Sequence, residues 1–353
     1  MTWDPADFRS AVGAALEEFV DAQAVQLAPL GDDAARLVEA ARRSMRGGKR
    51  FRAAFCFWGY RAVADEVRDE AALIRAAAAL ELLHASALVH DDLMDSSDTR
   101  RGHPAAHRVF EAVHREAGWS GRPEGYGAAA AVLLGDLLLS WSDQMLRGCG
   151  LPHDVVRDAL VWFDTTRTEV IAGQFLDVST QARGESAVEL AMLVLRYKSA
   201  KYSIERPLHV GAALAGASTQ VLGSLSDVGL PLGEAFQLRD DLLGVFGDPE
   251  VTGKPAGDDL SEGKRTLLVA LALDAAPAEP ALRLDTQLGQ TLSVEEVQEL
   301  RTIIEESGAH ADVERRIQSL TDRALRALEI APIQAPAREV LRELADAATQ
   351  RLV

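Results

Sequence analysis

Asp91-Asp92-Leu93-Met94-Asp95 sets three carboxylates within five residues, at the end of the apolar run 71–89. On a helix, Asp91 and Asp95 share one face and Asp92 stands about 100° round. Carboxylates this close repel one another unless a cation joins them. Oxygen ligands of this type suit Mg²⁺, which keeps several waters and takes further ligands from substrate phosphates. A solvated acidic helix end would leave the same trace. A second cluster, Asp240-Asp241-Leu242-Leu243-Gly244, is preceded by Gln237 and followed by Asp248, and it too closes an apolar helical run. Two such clusters at the ends of buried helices predict a cavity with carboxylates on opposite walls.

Cations stand where a polyphosphate would need them. Gly47-Gly48-Lys49-Arg50-Phe51-Arg52 joins a flexible backbone to three positive charges, and Arg100-Arg101 follows the first acidic cluster. Lys198-Ser199 and Lys201 lie in a mostly apolar helical run; Lys254 and Lys264 bracket Asp258-Asp259 in a Gly-rich stretch. Arginine offers a planar fork to phosphate and lysine a mobile point charge. Any one of these alone reads as a surface charge. Their repetition beside acidic clusters does not. The Asp258-Asp259 pair reads either as further ligands or as the group that orders Lys254 and Lys264.

The elements that must hold these residues are helices. Aromatic residues are 5% of the chain, Ala and Leu dominate its apolar set, and alternating strand-type runs are almost absent. A 3.6-residue period predicts helices over 33–46, 70–94, 128–147, 155–176, 187–215, 232–246 and 294–307. Gly47-Gly48, the stretch 118–127, the stretch 247–263 and the turn at 275–280 read as breaks. Each is short and flanked by helices of one character, so a single all-α domain over 1–353 is predicted. The segment from 320 onward, rich in paired Arg and Glu, reads as helices with solvated faces.

Composition excludes several classes. The chain has 353 residues, with 37 Lys+Arg against 54 Asp+Glu, a net charge of −17. That balance argues against non-specific nucleic-acid binding, which depends on positive charge. Cys56 and Cys149 lack metal-type or disulfide spacing and read as packing residues. The first residues carry no basic stretch or apolar core, and Asp136 interrupts the best apolar window, 127–139. A cytoplasmic protein without a membrane span is expected.

Seven motifs in order resemble the trans-isoprenyl diphosphate synthases, or polyprenyl synthetases, over about residues 45–266. They are GGKRFR at 47–52, LVHDDLMDSSDTRRGHPAAH at 88–107, GDLLL at 135–139, GQFLD at 173–177, YKSAKY at 197–202, FQLRDDLLGVFGD at 236–248 and GKPAGDDLSEGKRT at 253–266. The resemblance implies a bundle of roughly 10–14 helices around a deep central cavity, a homodimer, and about three Mg²⁺ ions per active site. It implies condensation of an allylic diphosphate (dimethylallyl, geranyl or farnesyl) with isopentenyl diphosphate. By resemblance, Asp91 and Asp95 bridge two ions and Asp240 binds the third, with Asp92 and Asp241 supporting them. Arg100, Lys198 and Lys254 grip the allylic diphosphate, with Lys264 nearby. Lys49, Arg52, His84 and Arg101 hold isopentenyl diphosphate, while Ser199 and Gln237 turn oxygens toward the allylic cation. His90 reads instead as a structural, hydrogen-bonded histidine.

One departure and one specificity signal remain. Gly244 stands where many relatives have a third Asp, and Gly247 and Pro249 end the helix before Asp248 could replace it. Asp240 is therefore expected to stay the direct ligand, with only a supporting contact weakened. The growing product should run along the helix that carries Asp91. Ser86 and Ala87, one turn back, are both small, and Leu83 and then Leu80 follow, with the neighbouring 128–147 helix able to move that floor. A turn rises about 5.4 Å, close to one prenyl unit, so a C20 geranylgeranyl product is predicted. A class I terpene cyclase would need an Asn-x-x-x-Ser/Thr-x-x-x-Glu motif in place of the second Asp cluster. A non-catalytic regulatory subunit would lack the Asp clusters.

Overall fold

Ala- and Leu-rich segments lose little side-chain freedom in a helix, and the chain builds helices almost throughout. The structure is a computed structural model that describes residues 3–247 and 257–350. Helix α1 (Pro5–Leu27) starts at Asp4, whose carboxylate accepts the Ala6 N–H at 2.7 Å. It is followed by α2 (Asp32–Met45), α3 (Phe51–Val63) and α4 (Glu70–Met94). Asp69 caps α4 by accepting the Ala72 N–H at 2.9 Å. Ala76 to Ala79 on α4 are fully buried, so this helix runs through the middle of the molecule.

After a two-residue hairpin, β1 (Thr99–Arg100) with β2 (His103–Pro104), come α5 (Ala106–Ala117), α6 (Pro123–Arg147) and α7 (His153–Arg183). Then α8 (Val188–Val194), a π-helical stretch (Leu195–Glu205) and α9 (Arg206–Leu214) form one continuous rod, followed by α10 (Thr219–Phe246). A single turn, α11 (Asp258–Ser261), precedes α12 (Leu267–Ala275), α13 (Ala278–Gln287), α14 (Val294–Glu306), α15 (Ala309–Ile330) and α16 (Ala335–Thr349). Helix α4 packs on α6, α3 on α9, and α10 on both α15 and the π-helical stretch. Leu225, Val228 and Leu232 of α10 join one apolar core, while Ala235, Leu238, Leu242 and Val245 join the other. One helix thus ties the two together.

The all-α class stands, with α4 at the expected bounds. Three details differ. The loop expected over 118–127 stops at Arg122, because Pro123 takes the first helical turn, where its missing N–H costs nothing. The run 187–215 changes its winding to π at Leu195–Glu205, a feature that side-chain periodicity does not reveal. Sixteen α-helical segments occur among the described residues, more than 10–14, because several are a few turns or less. Helices Glu70–Met94 and Pro123–Arg147 are long and apolar enough to cross a membrane by length and composition, yet 72% of the best window in the first is buried here, and 39% in the second. The face of α6 that stays exposed carries Val132 and Leu133; α7, tied to α6 by Arg167–Asp143 at 3.2 Å, exposes Val161, Ile171, Phe175 and Val178.

His209 on α9 gives the fold a pH dependence. It is buried at 1% exposure, its Nε2 lies 3.1 Å from the Leu222 carbonyl, and its Nδ1 accepts from Arg206 at 3.1 Å. Burial, with Arg206 beside it, lowers its pKa to about 4. The folded state therefore refuses a proton that the unfolded chain accepts below about 6.5, so this contribution is complete above 6.5 and is lost as pH falls toward 4. About 2 kcal/mol is lost by pH 5. Calorimetry should show the melting temperature of the wild type falling more steeply between pH 7 and 5 than that of His209→Gln; equal slopes would exclude the effect.

Candidate active site

The last turn of α4 and the C-terminal part of α10 carry the two acidic clusters, and cations from three other segments meet the first of them. Asp91 lies within 3.2 Å of Lys198 Nζ and accepts from Gln174 Nε2 at 2.9 Å. Lys198 also binds Asp177 of α7 at 2.6 Å. That meeting needs Gly173, since a Cβ there would overlap the main chain of Tyr197 and Lys198. Arg100, in the hairpin after α4, donates from Nε to Asp92 at 2.7 Å and lies 4.0 Å from Asp91. Lys264 Nζ binds Asp259 at 3.1 Å, Asp95 at 3.5 Å and, more closely, Glu262, which in turn accepts from Ser97 Oγ. Lys264 thereby spans from the first cluster to the loop beside the second.

Charge placement sets the protonation of these groups. Burial raises the Asp91 pKa, but Lys198, Lys264 and Arg100 outweigh it and hold this carboxyl well below the usual range. Asp95 is pushed up to about 6 by burial and by the negative charge of Asp91. Burial lifts Asp241 to about 8, against the opposing hydrogen bond from Gln237 Nε2 at 2.7 Å. Asp240, one residue earlier on the same helix, is exposed. Ser199 is buried on the π-helical stretch. The Gln237 amide nitrogen is engaged by Asp241, which leaves Oε1 as an acceptor.

A second set of cations gathers between α3, α4 and the hairpin. Arg52 donates to Ser203 at 2.7 Å, and its guanidinium lies 4.2 Å from the Tyr202 ring centroid. Tyr202 Oη is 2.8 Å from His84 Nδ1. Burial, together with Arg52, Arg101, Arg100 and Arg50, holds His84 far below 6.5 and hence neutral. Arg101 donates to the Arg46 carbonyl at 2.7 Å and so ties the hairpin to the 47–50 loop. Arg50 and Arg101 both have positive φ, +56° and +53°, a conformation that costs energy in a non-glycine residue and clusters at ligand clamps. Lys49 Nζ lies 5.9 Å from the Phe51 ring.

Several expected residues behave otherwise or lie elsewhere. Lys201 turns away and pairs with Glu169 at 2.7 Å. His90 has Nε2 3.2 Å from the Val132 carbonyl, the structural part expected of it. Lys254 and Asp248 lie outside the described residues. Ser86 is buried and donates to the Gly135 carbonyl on α6 at 2.7 Å, while Ala87 is half-buried in line with His84, Leu88 and Asp91. Leu83 and Leu80 behind them are buried, at 3% and 1% exposure. Sequence reasoning gave no part to Gln174, Asp177, Tyr202 or Glu262. Gln174 and Asp177 stood three residues apart beside Gly173, a polar pair on one helix face, and that spacing was the available signal.

The donor set fits Mg²⁺. The two clusters offer carboxylate oxygens only, the ligand type that this ion takes alongside water and phosphate. Asp95 Oδ2 is buried and has no hydrogen-bond donor.

The chain is similar to known proteins over most of its length. Residues 34–306 match the sequence model of a family described as polyprenyl synthetase. A geranylfarnesyl diphosphate synthase from Aeropyrum pernix is 32% identical over 87% of this chain and 91% of its own. An octaprenyl diphosphate synthase from Escherichia coli is 32% identical over 86% of both chains. The crystal structure of a geranylgeranyl pyrophosphate synthase from Corynebacterium glutamicum, complexed with isoprenyl diphosphate and magnesium, superposes with a TM-score of 0.96 at 41% identity, covering 99% of this chain and 100% of that one.

Proposed function

Because this chain belongs to the polyprenyl synthetase family, whose members named above differ in product length, we propose that it extends an allylic diphosphate with isopentenyl diphosphate to C20 geranylgeranyl diphosphate. The observation that carries this reading is the convergence of Lys198 and Lys264 on Asp91 and Asp95 of the first acidic helix end, with Lys264 reaching on to Asp259, which stands against α10 at Gly244. Asp91, Asp95 and Asp240, supported by Asp92 and Asp241, are the residues that would hold Mg²⁺. When bound, Mg²⁺ neutralises the leaving diphosphate and so favours ionisation of the allylic C–O bond.

The protein's own groups do the rest. Arg100, Lys198, Lys254 and Lys264 hold the allylic diphosphate. Lys49, Arg52, His84 and Arg101 hold isopentenyl diphosphate at the second cluster of cations. With Tyr202 O–H donating to Nδ1, neutral His84 offers an Nε2–H to that diphosphate. The oxygens of Ser199 and Gln237 face the allylic cation, and the apolar walls around α4 exclude water that would quench it. No nucleophilic side chain is needed. A homodimer through the exposed apolar side chains of α6 and α7 is part of the same reading.

C20 follows from the small Ala87 above the buried Leu83 and Leu80. A C15 or a longer product is the alternative. Incubating the purified chain with labelled isopentenyl diphosphate, Mg²⁺ and each primer in turn should give C20 as the main product. Chains ending at C15 or running past C20 would overturn the length alone. No elongation at all would overturn catalysis and point to a regulatory subunit.

A further inference from the structure

We infer that Asp259 supplies from the loop the carboxylate that α10 lacks at Gly244, and that the two residues form a matched pair. This rests on the proposed metal-dependent reading of the site. Residue 244 is four residues beyond Asp240 and three beyond Asp241, so a side chain there would share their helix face. That volume is already filled. A Cβ on Gly244 would lie 2.5 Å from Asp259 Cγ and would overlap its carboxylate oxygen. The glycine is what lets the Asp259 carboxylate reach the helix.

Asp259 is placed firmly. It is 8% exposed, and it sits in the single turn α11. Its main-chain carbonyl accepts the Lys264 N–H at 3.0 Å, and that of the next residue, fully buried Leu260, accepts the Gly289 N–H at 2.9 Å. Its side chain binds Lys264 Nζ at 3.1 Å, and the same ammonium reaches Asp95 Oδ2 at 3.5 Å. Asp95 is 3% exposed in its side chain, and that oxygen has no hydrogen-bond donor. The Asp259 carboxylate therefore stands beside α10 and faces, across one lysine, an under-satisfied carboxylate of the first cluster. It is a positioning residue for the second acidic cluster, delivered by a different segment of the chain.

The pairing makes restoration of the missing Asp harmful by itself. Gly244→Asp would put two carboxylates into one buried volume, whereas Gly244→Asp with Asp259→Ala would move a single carboxylate from loop to helix. The test compares wild type, Asp259→Asn, Gly244→Asp and the Gly244→Asp/Asp259→Ala double variant. Mg²⁺ binding is measured calorimetrically with inorganic diphosphate present, and kcat and the melting temperature are measured alongside. Asp259→Asn should weaken Mg²⁺ binding about tenfold or more, the usual effect of losing a group that supports metal ligands. Gly244→Asp should lower the melting temperature and lose at least as much Mg²⁺ affinity. The double variant should return to within about threefold of wild type. A double variant no better than the worse single one, or Asp259→Asn binding Mg²⁺ like wild type, would overturn the pairing. Should Gly244→Asp fail to fold, the Asp259→Asn titration decides. Failure of the wild type itself to bind Mg²⁺ with diphosphate would instead refute the metal-dependent reading.

Discussion

Asp91→Asn should lower kcat by about 10²–10³-fold at saturating substrate, the range seen when one preorganised electrostatic group is removed. The substitution keeps size and shape and removes one negative charge. Lys198 keeps its 2.6 Å partner Asp177, and Arg100 keeps Asp92, so the surrounding cations stay in place. Gln174 now faces an amide and can rotate to satisfy it. The fold should therefore persist, with a melting temperature close to wild type. What changes is the site's charge: the carboxylate that three cations hold ionised in the native protein is gone. Steady-state kinetics over a Mg²⁺ titration separates the possible results. A loss of less than tenfold with an unchanged melting temperature would remove Asp91 from the direct ligands.

Ala87→Phe should convert the product from mainly C20 to mainly C15, while Ser86→Phe should act first on folding. Both are one turn before Asp91 in sequence, yet their surroundings differ. Ala87 shares the partly open strip of α4 with His84, Leu88 and Asp91, so a phenyl ring there enters the space beside the product. A ring spans about the 5.4 Å of one helical turn, close to one prenyl unit. Ser86 is buried and bonded to the Gly135 carbonyl, so a ring must push α6 away and lose that bond. Overpacking of this kind costs about 1–3 kcal/mol. Chromatography of the products and a melting curve for each variant are the measurements. An active Ala87→Phe enzyme that still made C20 would show that the floor lies elsewhere, with α6 the nearest candidate.

The helices were legible because helical periodicity and capping act over a few residues. The bounds of α4 follow from Asp69 at one end and the acidic cluster at the other. That Arg100 stands against the first acidic cluster was readable too, from its place a few residues beyond it in the chain. What was not legible is who faces whom. Lys198 and Lys201 are three residues apart, and the π-helical winding sends one to Asp91 and the other to Glu169. Ser86 and Ala87 looked equivalent until α6 covered one of them.

By itself, then, the sequence determined an all-α chain and the two acidic helix ends, since these depend on residue type and short-range spacing. Only the tertiary structure decided that Asp177 grips Lys198, that Lys264 spans from Asp95 to Asp259, and that Asp259 fills the volume above Gly244. Apart from Asp259 and Lys264, which are 5 residues apart, those partners are separated by 15 to 169 residues in the chain. Their meeting is set by how helices and loops pack against one another, which no local pattern encodes.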